Sequence, residues 1–147
     1  MDRKLVVIER IYEAPMEKVW EALTNKDQMK RWYFELSDFR PETGFEFDFS
    51  VENEGKTYVH RCRVMEADPI TKISYTWSYD GYAGQSLVTF ELFREAENKT
   101  RLKLTHSGLD TFPQDAPELS RERFTEGWKS ILGQSLRDFV ETDGLTQ

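Results

Sequence analysis

Two histidines and one cysteine are the side chains of this sequence best suited to acid–base or nucleophilic chemistry. His60, Cys62 and His106 each lie in a segment in which apolar and polar residues alternate, and each falls on the apolar face. A neutral imidazole at a cavity wall can act as a general base. The alternative, which this placement favours, is a buried imidazole hydrogen-bonded to a neighbour. Cys62 is expected to be a core thiol rather than a nucleophile, because burial disfavours the reactive thiolate.

The pattern of these residues does not match a known metal or nucleophile motif. A zinc site needs three or four clustered ligands, and one cysteine with two histidines, without CxxC or HxH spacing, does not supply them. The sequence has no GxSxG elbow. Its loop DGYAG lacks the spacing and the lysine of a phosphate-binding loop. We therefore predict neither a metal nor a cofactor.

Carboxylates are the other candidate acids and bases. Three of them fall on the polar face of the alternating segments, where we expect solvent: Glu46, Asp48 and Glu91. Arg61 and Arg63 are placed to pair with them across strands. Glu66 ends the apolar alternation of its segment and is predicted at the rim of the interior. If the protein is an enzyme, its acid–base pair would be His60 with Tyr58 or Glu66.

Aromatic side chains carry the remaining signal. The sequence has ten Phe, four Trp and six Tyr, and those on the apolar faces should converge on one interior. They either fill the core or wall a ligand-sized cavity, in which polar groups would orient a partly polar ligand. The predicted lining consists of Trp32, Phe47, Phe49, Tyr58, His60, Tyr75, Trp77, Phe90, His106, Trp128 and Leu132.

Alternating segments position most of this lining. The β-branched start of the chain predicts a strand over 3–12, and helical spacing predicts two short helices, over about 15–24 and 25–31. Five further strands, separated by short turns, are predicted over 44–51, 56–67, 72–78, 86–93 and 100–106. Their short connections predict an antiparallel sheet with one apolar and one polar face.

A long amphipathic helix at the end of the chain is the natural cover for the apolar face. Asp115 and Glu118 resemble a capping box, and the helix is predicted to run from there to about Val140. Gly127 and Gly133 flank its apolar arc. We interpret them as positions where the missing Cβ allows a close approach of neighbouring groups; the alternative is that a well-anchored helix tolerates two weak residues.

Length and charge limit the function further. The chain of 147 residues is expected to form a single domain over 1–147. A net charge of −7 without a basic run argues against nucleic acid as a partner. No apolar stretch is long enough for a membrane span or a signal peptide. With one cysteine, the protein is predicted to be cytoplasmic and free of disulfides.

An ordered set of short motifs resembles one known family. They run from ERIYEAPMEKVWEALTN through KRWYF, EADPITKISYTW and TRLKLTHSGL to EGWKSILGQSL, and together they cover about residues 8–140. The sequence is similar to the bacterial branch of the activators of heat-shock-protein-90 ATPase, within the START/Bet v 1-like superfamily. The resemblance implies an α+β helix-grip fold, in which a curved antiparallel sheet of about six strands wraps around the long C-terminal helix.

The resemblance also implies a cavity between that helix and the sheet, which in the superfamily often holds an apolar ligand. The leading hypothesis is a soluble protein that binds an apolar or aromatic, lipid- or polyketide-like molecule. A cyclase, dehydratase or hydrolase using the same cavity is the second. The third is a chaperone partner that stimulates an ATPase, which is less favoured because the chain resembles only the C-terminal domain of the eukaryotic co-chaperones. The oligomeric state is left open.

Overall fold

The computed structural model describes residues 5–113, 115–116 and 119–142. Six strands and two short helices precede the C-terminal helix. The elements are β1 (Leu5–Tyr12), α1 (Met16–Thr24), α2 (Lys26–Trp32), β2 (Glu46–Asn53), β3 (Lys56–Asp68), β4 (Lys72–Tyr79), β5 (Ser86–Ala96), β6 (Lys99–Ser107), a 3₁₀ turn (Leu109–Thr111), α3 (Arg121–Ser130), a π-helical turn (Ile131–Leu136) and α4 (Arg137–Thr142).

The six strands form one antiparallel sheet in the order β1-β6-β5-β4-β3-β2. Its register aligns the buried residues of adjacent strands, so that Phe49 lies opposite His60, and Phe90 lies opposite Leu104. Because side chains alternate between faces, this alignment gathers the apolar residues on the face beneath the C-terminal helix. The predicted α+β helix-grip fold, with two short helices between the first two strands, is confirmed.

Local hydrogen bonds cap α2 and hold it against α1. The Asn25 side chain caps α2 by accepting a hydrogen bond from the Gln28 N–H at 3.0 Å. The Trp32 indole then donates to the Ala22 carbonyl at 2.8 Å, which fixes α2 against α1. These contacts set the direction in which the chain leaves α2, and therefore the positions of the aromatic residues that follow.

α3, the π-helical turn and α4 form one continuous helix, the C-terminal helix, whose buried stripe repeats every four residues. Trp128, Leu132, Leu136 and Val140 are all buried. In an α-helix of 3.6 residues per turn, a four-residue repeat drifts by about 40° at each step. The π-helical turn at Ile131–Leu136 is wider, and it compensates for this drift, so the stripe keeps facing the sheet.

β1 is an edge strand whose outward carbonyls are covered by the C-terminal helix. The Arg121 Nε donates to the Leu5 carbonyl at 2.8 Å, and an Arg137 Nη donates to the Ile11 carbonyl at 3.2 Å. Unpaired edge groups invite pairing with other chains. The two arginines therefore both dock the helix and protect this edge.

Two expectations about the C-terminal helix need correction. The helix begins at Arg121, where the Ser120 hydroxyl caps it by accepting from the Arg123 N–H at 3.3 Å; Glu118, of the predicted capping box, lies outside the described residues. A Cβ on Gly127 would meet no described atom within 4 Å, and one on Gly133 would make an ordinary 3.5 Å contact with Arg10. The predicted close approach at these glycines is therefore wrong, because Gly127 faces open space.

Candidate functional site

The predicted lining lies in the interior between the helix and the sheet, where ten of its members are buried and Tyr58 is half-buried. Trp128 joins the two layers, since its ring centre lies 5.5 Å from that of Trp77 and 5.9 Å from that of Phe90. Phe47 packs edge-on against Tyr75 at 5.1 Å. Trp32 and Leu132 are also buried, but each forms a hydrogen bond to another element. The Trp32 indole donates to a carbonyl of α1, and the Leu132 carbonyl accepts from the Tyr12 hydroxyl of β1.

His106 lies at the centre of a hydrogen-bonded chain that joins the helix to three strands. Its Nδ1 accepts from the Trp128 indole at 3.0 Å, which places the ring proton on Nε2. The Nε2–H donates to the Ser86 hydroxyl at 2.8 Å, and that hydroxyl donates to the Trp77 carbonyl at 2.9 Å. Complete burial lowers the pKa of His106 to about 3. His106 is thus a neutral structural group, as its position on the apolar face favoured.

His60 lies nearer the surface, at one end of the interior. Its ring stacks on Phe49 with centres 4.3 Å apart and contacts Tyr79 at 4.6 Å. The Nδ1 lies 3.1 Å from the Tyr58 carbonyl, so in the neutral ring Nδ1 donates and Nε2 is the acceptor nitrogen. Burial lowers the pKa of His60 to about 4, and backbone hydrogen bonds at Tyr58 and Phe49 oppose this effect only in part.

Two aromatic residues outside the predicted lining occupy the space beside it. Tyr33 and Phe34 follow α2 and are half-buried. The Tyr33 hydroxyl bonds the Tyr75 hydroxyl at 2.8 Å, and the Tyr33 ring lies 6.2 Å from Trp128. Phe34 stacks on Phe49 with ring centres 4.6 Å apart. Because the segment after α2 has no periodic pattern, its sequence could not show that these two rings turn inward.

A half-open pocket, the mouth pocket, lies beside His60. Its volume is about 140 Å³. Three aromatic rings form one part of its wall, two apolar side chains form another, and two polar side chains complete it. The described lining residues are Val51, Asn53, Tyr58, His60, Tyr79, Leu119 and Arg123. Tyr58 and His60 are thus the members of the predicted lining that the structure brings together at the surface. Tyr79, Leu119 and Arg123 were not predicted, and Arg123 carried no signal beyond its charge.

A second, wider groove of about 440 Å³ lies on the outer face of the sheet. Arg61 lines this groove. Its guanidinium donates to the Asp80 carboxylate from two nitrogens, at 2.5 and 2.9 Å, and a third nitrogen lies 3.9 Å from an oxygen of Asp48. These side chains are close to half exposed. The groove is therefore an ion-paired, solvated surface, and the predicted pairing of Arg61 across the strands is confirmed at Asp48.

Cys62 and Glu66 do not supply the reactive groups considered for them. Cys62 is buried, and burial raises the pKa of its thiol, so the thiol stays protonated. Glu66 is exposed and pairs with Lys72 at 3.3 Å. Among the described ranges, 5–113, 115–116 and 119–142, no three His, Cys, Asp or Glu side chains are grouped to hold a metal ion. No described helix is long and apolar enough to cross a membrane.

Several solved structures share this architecture. MLL2253 from Mesorhizobium loti is 29% identical, with a TM-score of 0.73, 90% of this chain covered and 93% of that chain. BH1534 from Bacillus halodurans is 30% identical, with a TM-score of 0.71 and coverage of 93% and 96%. CV1439 from Chromobacterium violaceum is 21% identical, with a TM-score of 0.81 and coverage of 95% and 99%, and shows the fold alone.

Sequence comparison agrees with the structural likeness. Among curated proteins none matches the chain significantly. One family does match, that described as Activator of Hsp90 ATPase homolog 1-like protein, and the match spans residues 13–141. The chain therefore belongs to the family of Activator of Hsp90 ATPase homolog 1-like proteins.

Proposed function

We propose that the protein binds a small apolar or aromatic molecule between the C-terminal helix and the sheet. The observation that carries this proposal is the mouth pocket, whose aromatic wall continues into the buried aromatic interior through His60 and Phe49. Apolar and aromatic walls with a few polar groups are typical of small-molecule sites. The helix-grip fold supports the proposal, because it places such a wall beneath a helix.

The residues beside the mouth pocket offer a route by which a larger ligand could enter. Tyr33 and Phe34 belong to the irregular segment between α2 and β2 and are only half-buried. Tyr33 is held by its hydroxyl bond to Tyr75. Moving these two rings breaks no strand pairing and opens space against Phe49 and Trp128. A one-ring ligand needs only the mouth pocket, whereas a larger one displaces Tyr33 and Phe34.

The polar groups of the interior favour binding over catalysis. Among the described residues, every buried side-chain nitrogen and oxygen has a hydrogen-bond partner within the protein. Both ring nitrogens of His106 are already hydrogen-bonded, one to Trp128 and the other to Ser86. Glu66, considered as a partner for His60, is instead exposed beside Lys72. The described interior is therefore better suited to enclose a ligand than to exchange protons with one.

A thermal-shift screen combined with native mass spectrometry tests this function. Aromatic and aliphatic compounds of one to three rings should include some that raise the melting temperature, because a ligand at 100 times its Kd stabilises a protein by about 2.7 kcal/mol. Val51→Trp, which fills the mouth pocket, should reduce that shift. Met65→Trp adds the same ring at an exposed position and should not. The proposal would be rejected if native mass spectra showed only the ligand-free protein and no compound raised the melting temperature.

A further inference from the structure

The charge distribution around the mouth pocket narrows the chemistry of its ligand. Arg123 is the single charged side chain among the described lining residues. It is exposed, and its guanidinium has no ion-pair partner among the described residues. By contrast, Arg61 is paired with Asp80, and Arg101 is paired with Glu9 and Glu95. A guanidinium without an ion-pair partner in the described part of the chain, at the lip of an aromatic pocket, can act as a bidentate donor for a carboxylate.

A second positive charge lies close to the same wall. The Lys56 ammonium is 5.4 Å from the centre of the Tyr58 ring and 4.9 Å from that of Tyr82, whose hydroxyl it also contacts. His60, the remaining titratable group of basic type, is neutral. Two positive side chains, Arg123 and Lys56, therefore lie at or beside this wall, although the whole chain carries a net charge of −7.

The size and the walls of the pocket define the rest of the ligand. Its volume of about 140 Å³ is close to the roughly 150 Å³ cavity that accommodates one benzene molecule. The Tyr58 and Tyr79 rings contact each other nearly perpendicularly, with centres 6.3 Å apart, so a ring that packs against this pair would meet one face and one edge. Val51 and Leu119 supply apolar contact. These dimensions fit a single aromatic ring and not a fused system.

We propose that the mouth pocket binds a one-ring aromatic carboxylate, with the ring against Tyr58 and Tyr79 and the carboxylate on the Arg123 guanidinium. This inference rests on the proposed function and names the ligand class for its outer site. The ring supplies the apolar contact that any aromatic molecule would make. The carboxylate supplies the discrimination, because a neutral ring of the same shape leaves Arg123 without a partner.

Titration of benzoate and of its neutral analogue benzamide, followed by NMR, tests the inference. We expect benzoate to bind up to about fivefold more tightly, because an ion pair with an exposed guanidinium contributes at most about 1 kcal/mol, with the largest shifts at Tyr58, His60 and Tyr79. Arg123→Gln should abolish the preference by weakening benzoate binding far more than benzamide binding, and Arg123→Lys should keep part of the preference because it retains the charge without the planar fork. Lys129→Gln is the matched control, since it removes one positive charge from an exposed position of the same helix.

Each contrary result has a defined meaning. Equal binding of benzoate and benzamide, equal losses in Arg123→Gln and Lys129→Gln, or shifts centred on Trp128 instead of Tyr58 would overturn the inference and leave the proposed function standing. If larger neutral compounds bind but neither one-ring probe does, the inference is likewise overturned and the proposed function stands. If neither probe binds and no compound of the wider screen binds, the proposed function fails together with the inference.

Discussion

The Trp128 indole nitrogen donates to the Nδ1 of His106 at 3.0 Å, in the buried space between the C-terminal helix and the sheet. This bond is the polar contact at the centre of an otherwise aromatic interface. It selects the His106 tautomer, and through Nε2 it extends to Ser86 on β5 and to the Trp77 carbonyl on β4. A hydrogen bond, in addition to apolar burial, thus holds the helix against the sheet.

Trp128→Phe should reveal the strength of that component. The phenyl ring preserves part of the packing but leaves Nδ1 of His106 buried without a donor, which costs about 1–3 kcal/mol of unfolding free energy. His106→Leu alone should cost a comparable amount. The double variant should cost less than the sum of the two, because neither orphaned group remains. Urea unfolding of the four proteins measures this coupling, and additivity within about 0.5 kcal/mol would show that the bond contributes nothing.

The two buried histidines predict how stability depends on pH. The pKa values of His60 and His106 in the folded protein are about 4 and about 3, below the value of about 6.5 in an unfolded chain. The unfolded state therefore binds more protons below pH 6.5, and the unfolding free energy falls as the pH decreases. The loss should reach about 2 kcal/mol per histidine by pH 5, with the His60 contribution ending near pH 4 and the His106 contribution near pH 3.

Urea unfolding between pH 7.5 and pH 5 measures this effect before most carboxylates titrate. His60 and His106 are the two histidines of the sequence, so His60→Gln should remove about half of the decline. A decline of unchanged size in His60→Gln, or stability that is constant over this range, would contradict the burial of both imidazoles in neutral form.

The regular elements could be predicted because their apolar residues repeat with a clear period. The alternation around Phe47 and Phe49 fixes which face of β2 is buried, and the register with β3 follows from the short turn between them. The apolar arc of the C-terminal helix likewise identified Trp128 and Leu132. Even the roles of His106 and Cys62 as buried groups followed from their positions on the apolar faces of strands.

The mouth pocket as a whole could not be predicted, because the sequence does not show that Leu119 and Arg123, at the start of the C-terminal helix, meet the strand residues Tyr58 and His60. Leu119 and Arg123 flank the start of a helix that was expected to begin earlier, and Tyr79 continues the buried alternation of β4 one residue beyond the predicted strand. The π-helical turn is accompanied by a pattern that can be seen in the sequence, the four-residue repeat of Trp128, Leu132 and the apolar residues that follow. That repeat is also compatible with an ordinary α-helix, so the pattern alone does not decide between the two.

Tyr12→Phe tests what holds the π-helical turn. The buried Tyr12 hydroxyl donates to the Leu132 carbonyl at 2.7 Å, within that turn. Without the hydroxyl, the buried carbonyl loses a partner, and the unfolding free energy should fall by about 1–3 kcal/mol. Hydrogen exchange should accelerate at the amides of 131–136. Tyr82→Phe is the control, because its hydroxyl bonds the exposed Lys56 and its loss should cost less. Equal losses in both variants would assign no special role to Tyr12.

Gly84→Ala should be among the most destabilising small substitutions in the chain. Gly84 has a φ of +103°, and a Cβ there would lie 2.3 Å from the Thr111 carbonyl oxygen. The backbone strain and the overlap with a fixed carbonyl together should cost about 2 kcal/mol or more. Gly81→Ala provides the comparison, since its φ is +86° but its Cβ would meet no described atom within 4 Å. If the two variants unfold at the same denaturant concentration, the loops of Gly84 and Thr111 are not packed as described.

Gly127→Ala should stabilise the protein. Gly127 has helical backbone and is exposed, and a Cβ would enter open space. Alanine restricts the unfolded chain and favours the helix, so the unfolding free energy should rise by about 0.4–1 kcal/mol. The affinity for any ligand of the mouth pocket should not change, because Gly127 is not among the described residues that line it. Urea unfolding and the benzoate titration measure both quantities on one variant. A loss of stability would show that Gly127 lies against a neighbouring group and that the helix is seated closer to its surroundings at this position.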